Sequence, residues 1–108
     1  MSGRDRHVEG VFSALSDPTR RRVMAFLSER GPASATDLAE ELPVTRQAVT
    51  KHLAALEAAG LVTSERRGRE RQFKLTPGPL ADAMGWMTDV GAQWDHRLEA
   101  LRRHLTNE

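Results

Sequence analysis

Thr36-Asp37-Leu38-Ala39-Glu40-Glu41-Leu42, then Pro43-Val44-Thr45, then Arg46-Gln47-Ala48-Val49-Thr50-Lys51-His52-Leu53, is the stretch on which the fold of this chain turns. Two helical segments flank a turn as short as two steeply crossing helices require, which is the pattern of a helix-turn-helix. Ser34 and Asp37 make a Ser-x-x-Asp capping pair that opens the first segment. Leu38, Ala39 and Leu42 are its apolar positions, and Pro43 closes it. The second segment starts after Thr45, with Val44 and Val49 at the two ends of a hydrophobic staple. Val49, Leu53 and Leu56 form its buried stripe. Gly60 suits the left-handed residue that ends a helix, with Leu61 and Leu56 as the accompanying apolar pair.

Arg46, Gln47, Thr50 and Lys51 fall away from that stripe. Their chemistry matches base edges in a major groove: Gln47 pairs with adenine, Arg46 or Lys51 with guanine, and Thr50 with a base or phosphate. The amides that open the helix behind Thr45 also suit a phosphate. His52 reads as a groove-facing or packing residue. The competing reading is an exposed polar helix face with no partner.

Beyond Gly60 the period becomes strand-like. Leu61–Arg67 leads to Gly68, and Arg71–Leu75 alternates charged or polar with apolar, so two short strands around Arg67-Gly68-Arg69-Glu70 predict a β-hairpin. Arg66, Arg67, Arg69 and Arg71 cluster at its tip, where they reach a DNA backbone or an adjacent minor groove. A hairpin kept soluble by charge is the plainer account of any one of them, and Glu65 and Glu70 neutralise two locally.

Before the helix-turn-helix, Val8, Val11, Phe12 and Leu15 share one helix face. Asp17-Pro18 stops that helix and starts another, with Asp17 as N-cap. The second helix buries Val23, Met24, Phe26 and Leu27 and ends at Gly31-Pro32. At the other end, Leu80, Met84, Met87, Gly91, Trp94, Leu98, Leu101 and Leu105 recur alternately four and three apart. That is a heptad seam, more regular than a monomer's surface helix needs. Gly91 within it fits close approach of two backbones. Trp86 lies off the seam, against the first helix or the core. Met84, Met87 and Trp94 read as seam rather than as the lining of a ligand cavity.

The expected organisation is one domain of 108 residues, mainly α with a small β-hairpin: N-terminal helices over 8–30, helix-turn-helix over 34–60, wing over 61–76 and a long dimerisation helix over 79–106. A 39% apolar fraction suffices for one core with little margin, so a dimer interface would help. Net charge is only +1, but residues 43–75 hold seven Lys/Arg against three Asp/Glu. A localised basic stretch between mildly acidic flanks is the footprint of a phosphate-binding surface. Without cysteine there is no disulfide, no thiolate metal site and no cysteine nucleophile. No secretory leader is visible at Met1–Asp5 and no apolar run spans a bilayer, so a cytoplasmic location is expected. No nucleophile–base pair, phosphate-cradling glycine loop or catalytic metal set is present, so no enzyme is expected.

The chain resembles the ArsR/SmtB-type winged helix-turn-helix repressors over nearly its whole length. The matching phrases are Ala14-Leu15-Ser16-Asp17-Pro18-Thr19-Arg20-Arg21, Asp37-Leu38-Ala39, Val44 through Leu53, and Leu56-Glu57-Ala58-Ala59-Gly60-Leu61-Val62. The resemblance implies a homodimeric repressor of double-stranded DNA that contacts its operator through Thr45–His52 and the wing. It also implies a dimer interface from the first and last helices, hence Val8, Val11, Phe12, Leu80, Met84, Met87, Gly91, Trp94, Leu98 and Leu101. Metal-sensing members use cysteines or paired Asp/His and His/Glu ligands. This chain lacks the former and offers Asp95, His96, Glu99 and His104 on the last helix, so it is similar to the metal-free branch, with no metal or cofactor expected. His96 and Glu99 read as a solvated face rather than half of a zinc site. The alternative function is a winged-helix protein-interaction module that does not bind DNA.

Overall fold

The computed structural model describes residues 3–106; of the segment read above for a leader, Met1 and Ser2 lie outside them. Five helices and one hairpin follow in order: α1 Gly3–Leu15, α2 Pro18–Arg30, α3 Ala35–Glu41, α4 Arg46–Ala58, β1 Val62–Arg67, β2 Glu70–Leu75 and α5 Pro77–Thr106. The last helix begins at Pro77, two residues before the expected start. Pro77 and Pro79 both fall in its first turn, where a missing N–H leaves no bond unmade.

Local chemistry sets each boundary. Asp17 Oδ1 accepts from the backbone N–H of Thr19 (2.8 Å) and of Arg20 (3.1 Å), capping α2. From the next turn Arg20 Nε donates to the carbonyl of Ala14 (2.5 Å) and Arg21 Nη1 to that of Leu15 (2.6 Å). Asp-Pro-Thr-Arg-Arg therefore closes one helix and opens the next: the carboxylate satisfies N-terminal amides and the guanidinium groups satisfy C-terminal carbonyls. Ser34 and Asp37 exchange side-chain to backbone bonds, both 3.1 Å, completing the capping box of α3. Thr45 Oγ1 accepts from the Ala48 N–H to cap α4. At the far end of α4, Leu61 N–H reaches the Leu56 carbonyl and Gly60 N–H the Glu57 carbonyl, both 2.9 Å, with Gly60 at φ +76°. That paired closure turns the chain sharply into β1.

One core lies where α1, α2, α3 and α4 meet the root of the hairpin. Val11, Val23, Leu38, Val49, Leu53, Leu56, Leu61 and Val62 are its largest fully buried side chains. α5 contributes Ala83 and, at its edge, Leu80. Phe26 is only half-buried, with the Arg30 guanidinium 5.0 Å from its ring centre. Beyond its first turns α5 leaves the core, and the chain measures 69 × 30 × 20 Å.

Two expectations about the first helix change here. Val8 and Val11 are buried inside the chain's own core, so they have no surface to offer a second chain. Phe12 is the residue of that face that stays exposed, and its ring meets Trp86 edge-on at 5.5 Å. The helix presents one apolar stripe inward and only its margin outward.

Candidate nucleic-acid interface

The candidate interface is the surface formed by α4 and the wing. Val49, Leu53 and Leu56 fix α4 to the core, which leaves Arg46, Gln47, Thr50 and Lys51 exposed on its opposite face at the N-terminal end. Farther along, the exposed positions become Ala54, Glu57 and Ala58. Basic and amide groups thus occupy the leading end of the helix, and small or acidic ones its trailing end. A duplex accepts such a helix by its N-terminus, where the dipole also favours phosphate.

Hydrogen bonds already made narrow what each residue offers. Thr45 accepts from its own helix as cap. Thr50 Oγ1 donates to the Arg46 carbonyl (2.9 Å), so toward DNA it presents an acceptor, which suits an amino group on a base and not a phosphate. Of the two readings of His52, groove-facing or packing, the geometry fits packing. Its ring is only 20% exposed, and Nδ1 lies 3.9 Å from Asp17 Oδ1. The residue sits one turn from the exposed set, on the flank of α4 that meets the start of α2. The Asp17 carboxyl is held below the usual carboxylate range, chiefly by the Arg20 N–H; partial burial opposes this, while the Thr19 N–H and the His52 and Arg20 charges add to it.

The wing is a two-stranded antiparallel hairpin with Arg67 opposite Glu70 and Ser64 opposite Phe73. Its two-residue turn has Gly68 at φ +65° and no positive φ at Arg69, the geometry of a type II′ turn. Alternation along the strands separates the arginines. Arg66 and Arg71 pair across the ladder on the same face as Ser64 and Phe73. Arg67 belongs to the other face, 3.9 Å from Glu65. A cleft of about 450 Å³ opens between the first face and α4, lined by Thr36, Arg46, Thr50, Arg69, Arg71 and Phe73 among others. α4 and the wing therefore converge on one cleft lined by Arg46, Arg69 and Arg71 together with Glu70, and two of the four wing arginines, Arg66 and Arg67, are not among its lining residues.

Two linkages were not visible in the sequence. Ala33 pairs with Phe73 as an isolated bridge, each N–H reaching the other's carbonyl at 3.1 and 2.8 Å. Ser64 Oγ donates to Glu57 Oε2 (2.9 Å) and accepts from Arg71 Nη1 (3.0 Å). Pro32 just before Ala33, and an apolar Phe73 amid charged neighbours, were the signals available for the first.

On α5 the seam is exposed: Met84, Met87, Trp94, Leu98, Leu101 and Leu105 are 46–63% accessible. Leu80 differs, being packed on the core. Asp95, His96 and Glu99 share a shallow face of the same helix. The residues present do not fit a thiolate metal site, since the chain has no cysteine, and among the described residues no three His, Asp or Glu side chains are placed to hold a metal ion together.

Residues 15–65 match the family model of a helix-turn-helix domain. The chain is similar to the HTH-type transcriptional regulator YuzN of Bacillus subtilis, 41% identical over 86 residues, or 73% of this chain and 94% of that one. It is similar to the transcriptional repressor SdpR of the same organism, 31% identical over 91 residues, or 84% of this chain and all of that one. Among solved structures, an ArsR-like transcriptional regulator from Rhodococcus sp. RHA1 matches at a TM-score of 0.81 and 41% identity, covering 94% of this chain and 95% of that one.

Proposed function

The chain belongs to the ArsR/SmtB-type winged helix-turn-helix regulators, and from that premise we propose that it represses transcription as a homodimer that occupies an operator through Arg46, Gln47, Thr50 and Lys51 of α4 and through the wing. It is a DNA-binding regulator and not an enzyme. The observation that carries the site assignment is the convergence of the exposed leading end of α4 and two wing arginines, Arg69 and Arg71, on one cleft. A strand of duplex beside an occupied major groove is a polyanionic ridge, and a cleft lined by Arg46, Arg69 and Arg71 is the surface that receives it.

The dimer reading rests on the exposed seam. A compact chain of 12.0 kDa exposes about 6,000 Å², whereas this one exposes 7619 Å². Its radius of gyration is 18.6 Å, against about 13 Å for a compact domain of this length. The excess is the projecting apolar arm of α5, and a second copy offers the matching seam. Two copies would set their reading helices about 34 Å apart, one duplex turn. No helix among the described residues is long and apolar enough to cross a membrane. A cytoplasmic site of action and freedom from metal belong to the same proposal.

Fluorescence anisotropy of duplex from the region upstream of the chain's own gene, over a salt series and against a scrambled duplex, tests it. Gln47→Ala is expected to lower affinity for the cognate duplex by about 1–3 kcal/mol while leaving the scrambled one nearly unchanged. Equal losses on both would remove Gln47 from base reading. Binding with no salt dependence would favour a protein partner instead.

A further inference from the structure

We propose that Glu57, Ser64 and Arg71 form a brace that fixes the wing against the reading helix, making Arg71 the pre-positioned cation of the wing; this rests on the DNA-binding reading above. The three groups come from three elements: the last turn of α4, β1 and β2. A serine hydroxyl has one hydrogen to donate, and Ser64 donates it to the Glu57 carboxylate, 2.9 Å away. Its lone pairs are then turned to the Arg71 guanidinium at 3.0 Å. Anion, hydroxyl and cation stand in the order that lets each bond strengthen the next.

The location gives the chain of bonds its purpose. The Ala33–Phe73 bridge ties down the root of β2. Arg71 lies two residues nearer the tip, and from there outward the hairpin carries only its own ladder. The brace adds a second attachment, from the far end of the helix that reads the major groove. It therefore sets the width of the cleft that Arg71 lines together with Arg46 and Thr50. It also resolves an electrostatic conflict. Glu57 is an exposed carboxylate on the helix presented to phosphates, and Arg71 offsets its charge through Ser64. Two of the other wing arginines are placed differently: Arg66 Nε turns back to the Gly68 carbonyl at 3.4 Å, and Arg67 lies on the opposite face beside Glu65. A long cation already held loses less freedom on meeting a phosphate than one that is not.

The test uses the full chain and a fluorescent duplex of about three helical turns. Ser64→Ala is expected to weaken binding about tenfold and to make the salt dependence shallower by about one ion. Ser64→Thr, which keeps the hydroxyl, is expected to restore affinity to within about twofold. On an Arg71→Ala background, Ser64→Ala is expected to cost nothing further. Glu57→Ala gives a test of opposite sign at an exposed helical position where alanine preserves the fold. Removing a negative charge beside DNA strengthens binding if charge alone matters, whereas the brace requires that binding weaken. Ser64→Ala binding like the unaltered protein, losses at Ser64 and Arg71 that simply multiply, or tighter binding by Glu57→Ala would each overturn the brace. If the unaltered protein shows no salt-dependent binding to any duplex, the DNA reading falls and the brace with it; a normal Gln47→Ala effect beside an unchanged Ser64→Ala would remove the brace alone.

Discussion

Asp17 meets two helices with one carboxylate. It accepts two amides of its own helix and lies beside His52 of the reading helix, while its neighbours Arg20 and Arg21 close the helix before it. The amide bonds exist only in the folded chain, and they hold the folded carboxyl below its ordinary value. The sign follows: the contribution is fully present above the unfolded value and is lost as the pH falls through the folded one. Asp17→Asn keeps a capping oxygen but removes the charge. Its urea midpoint is expected to fall below that of the unaltered protein at neutral pH, and the gap is expected to close as the pH drops below about 4. A gap that stays constant down to pH 3 would show that the charge does not matter there. The role of Asp17 as a cap was legible from Asp-Pro alone. Its link to His52 was not, because the two are distant in sequence and only the packing of α4 on α2 brings them together. The same packing explains why His52, placed in the recognition stretch by sequence, is turned away from the exposed set.

Elements were legible wherever a local rule fixes an end. The Ser34–Asp37 box, the Thr45 cap, the closure at Gly60 and the turn at Gly68 all follow from residue type and spacing, and the structure shows each of them. What the sequence left open are the joins between elements: the Ala33–Phe73 bridge, the Glu57–Ser64–Arg71 chain and the division of the wing arginines between two faces. Alternation predicts that neighbouring arginines part, but not which face meets α4. Two glycines show how far local rules reach. Gly60 holds φ +76°, and a Cβ there would stand 3.0 Å from Pro79 Cγ at the start of α5. Gly60→Ala is expected to destabilise the chain by about 1–2 kcal/mol through the left-handed backbone, with any failure of Pro79 to move adding to it. Gly10 lies inside α1 with nothing within 4 Å of a Cβ, and Gly10→Ala is expected to stabilise by about 0.5–1 kcal/mol. Chemical denaturation of the two variants checks the opposite signs. A neutral Gly60→Ala would mean that the turn into β1 is not held in the left-handed form.

At the scale of the whole molecule, the seam on α5 is the feature with most consequence and least support within a single chain. Its heptad spacing was readable, as was the exclusion of Trp86 from it, whereas the inclusion of Val8 and Val11 in the interface was not sound because helix periodicity cannot tell an intramolecular face from an intermolecular one. Gly91 separates these two kinds of contact. Within one chain a Cβ at Gly91 meets nothing within 4 Å, and glycine inside a helix costs about 1 kcal/mol relative to alanine. A larger side chain there is therefore expected to leave the isolated chain as stable or more so. In a dimer whose seams meet at Gly91, the same side chain would push two backbones apart. Gly91→Leu is thus expected to keep full helical content by circular dichroism while shifting the sedimentation mass from two chains toward one. Because two linked half-sites bind far more tightly than either alone, operator affinity is expected to fall by much more than the loss of any one side-chain contact. The thermal midpoint supplies an independent reading. It is expected to rise with protein concentration for the unaltered chain, since assembly favours the folded form, and to lose that dependence in Gly91→Leu. A variant that still sediments as two chains with undiminished affinity would place the backbone approach elsewhere along α5. An unaltered chain that sediments as one copy at every concentration, while still binding its operator, would remove the seam from the mechanism.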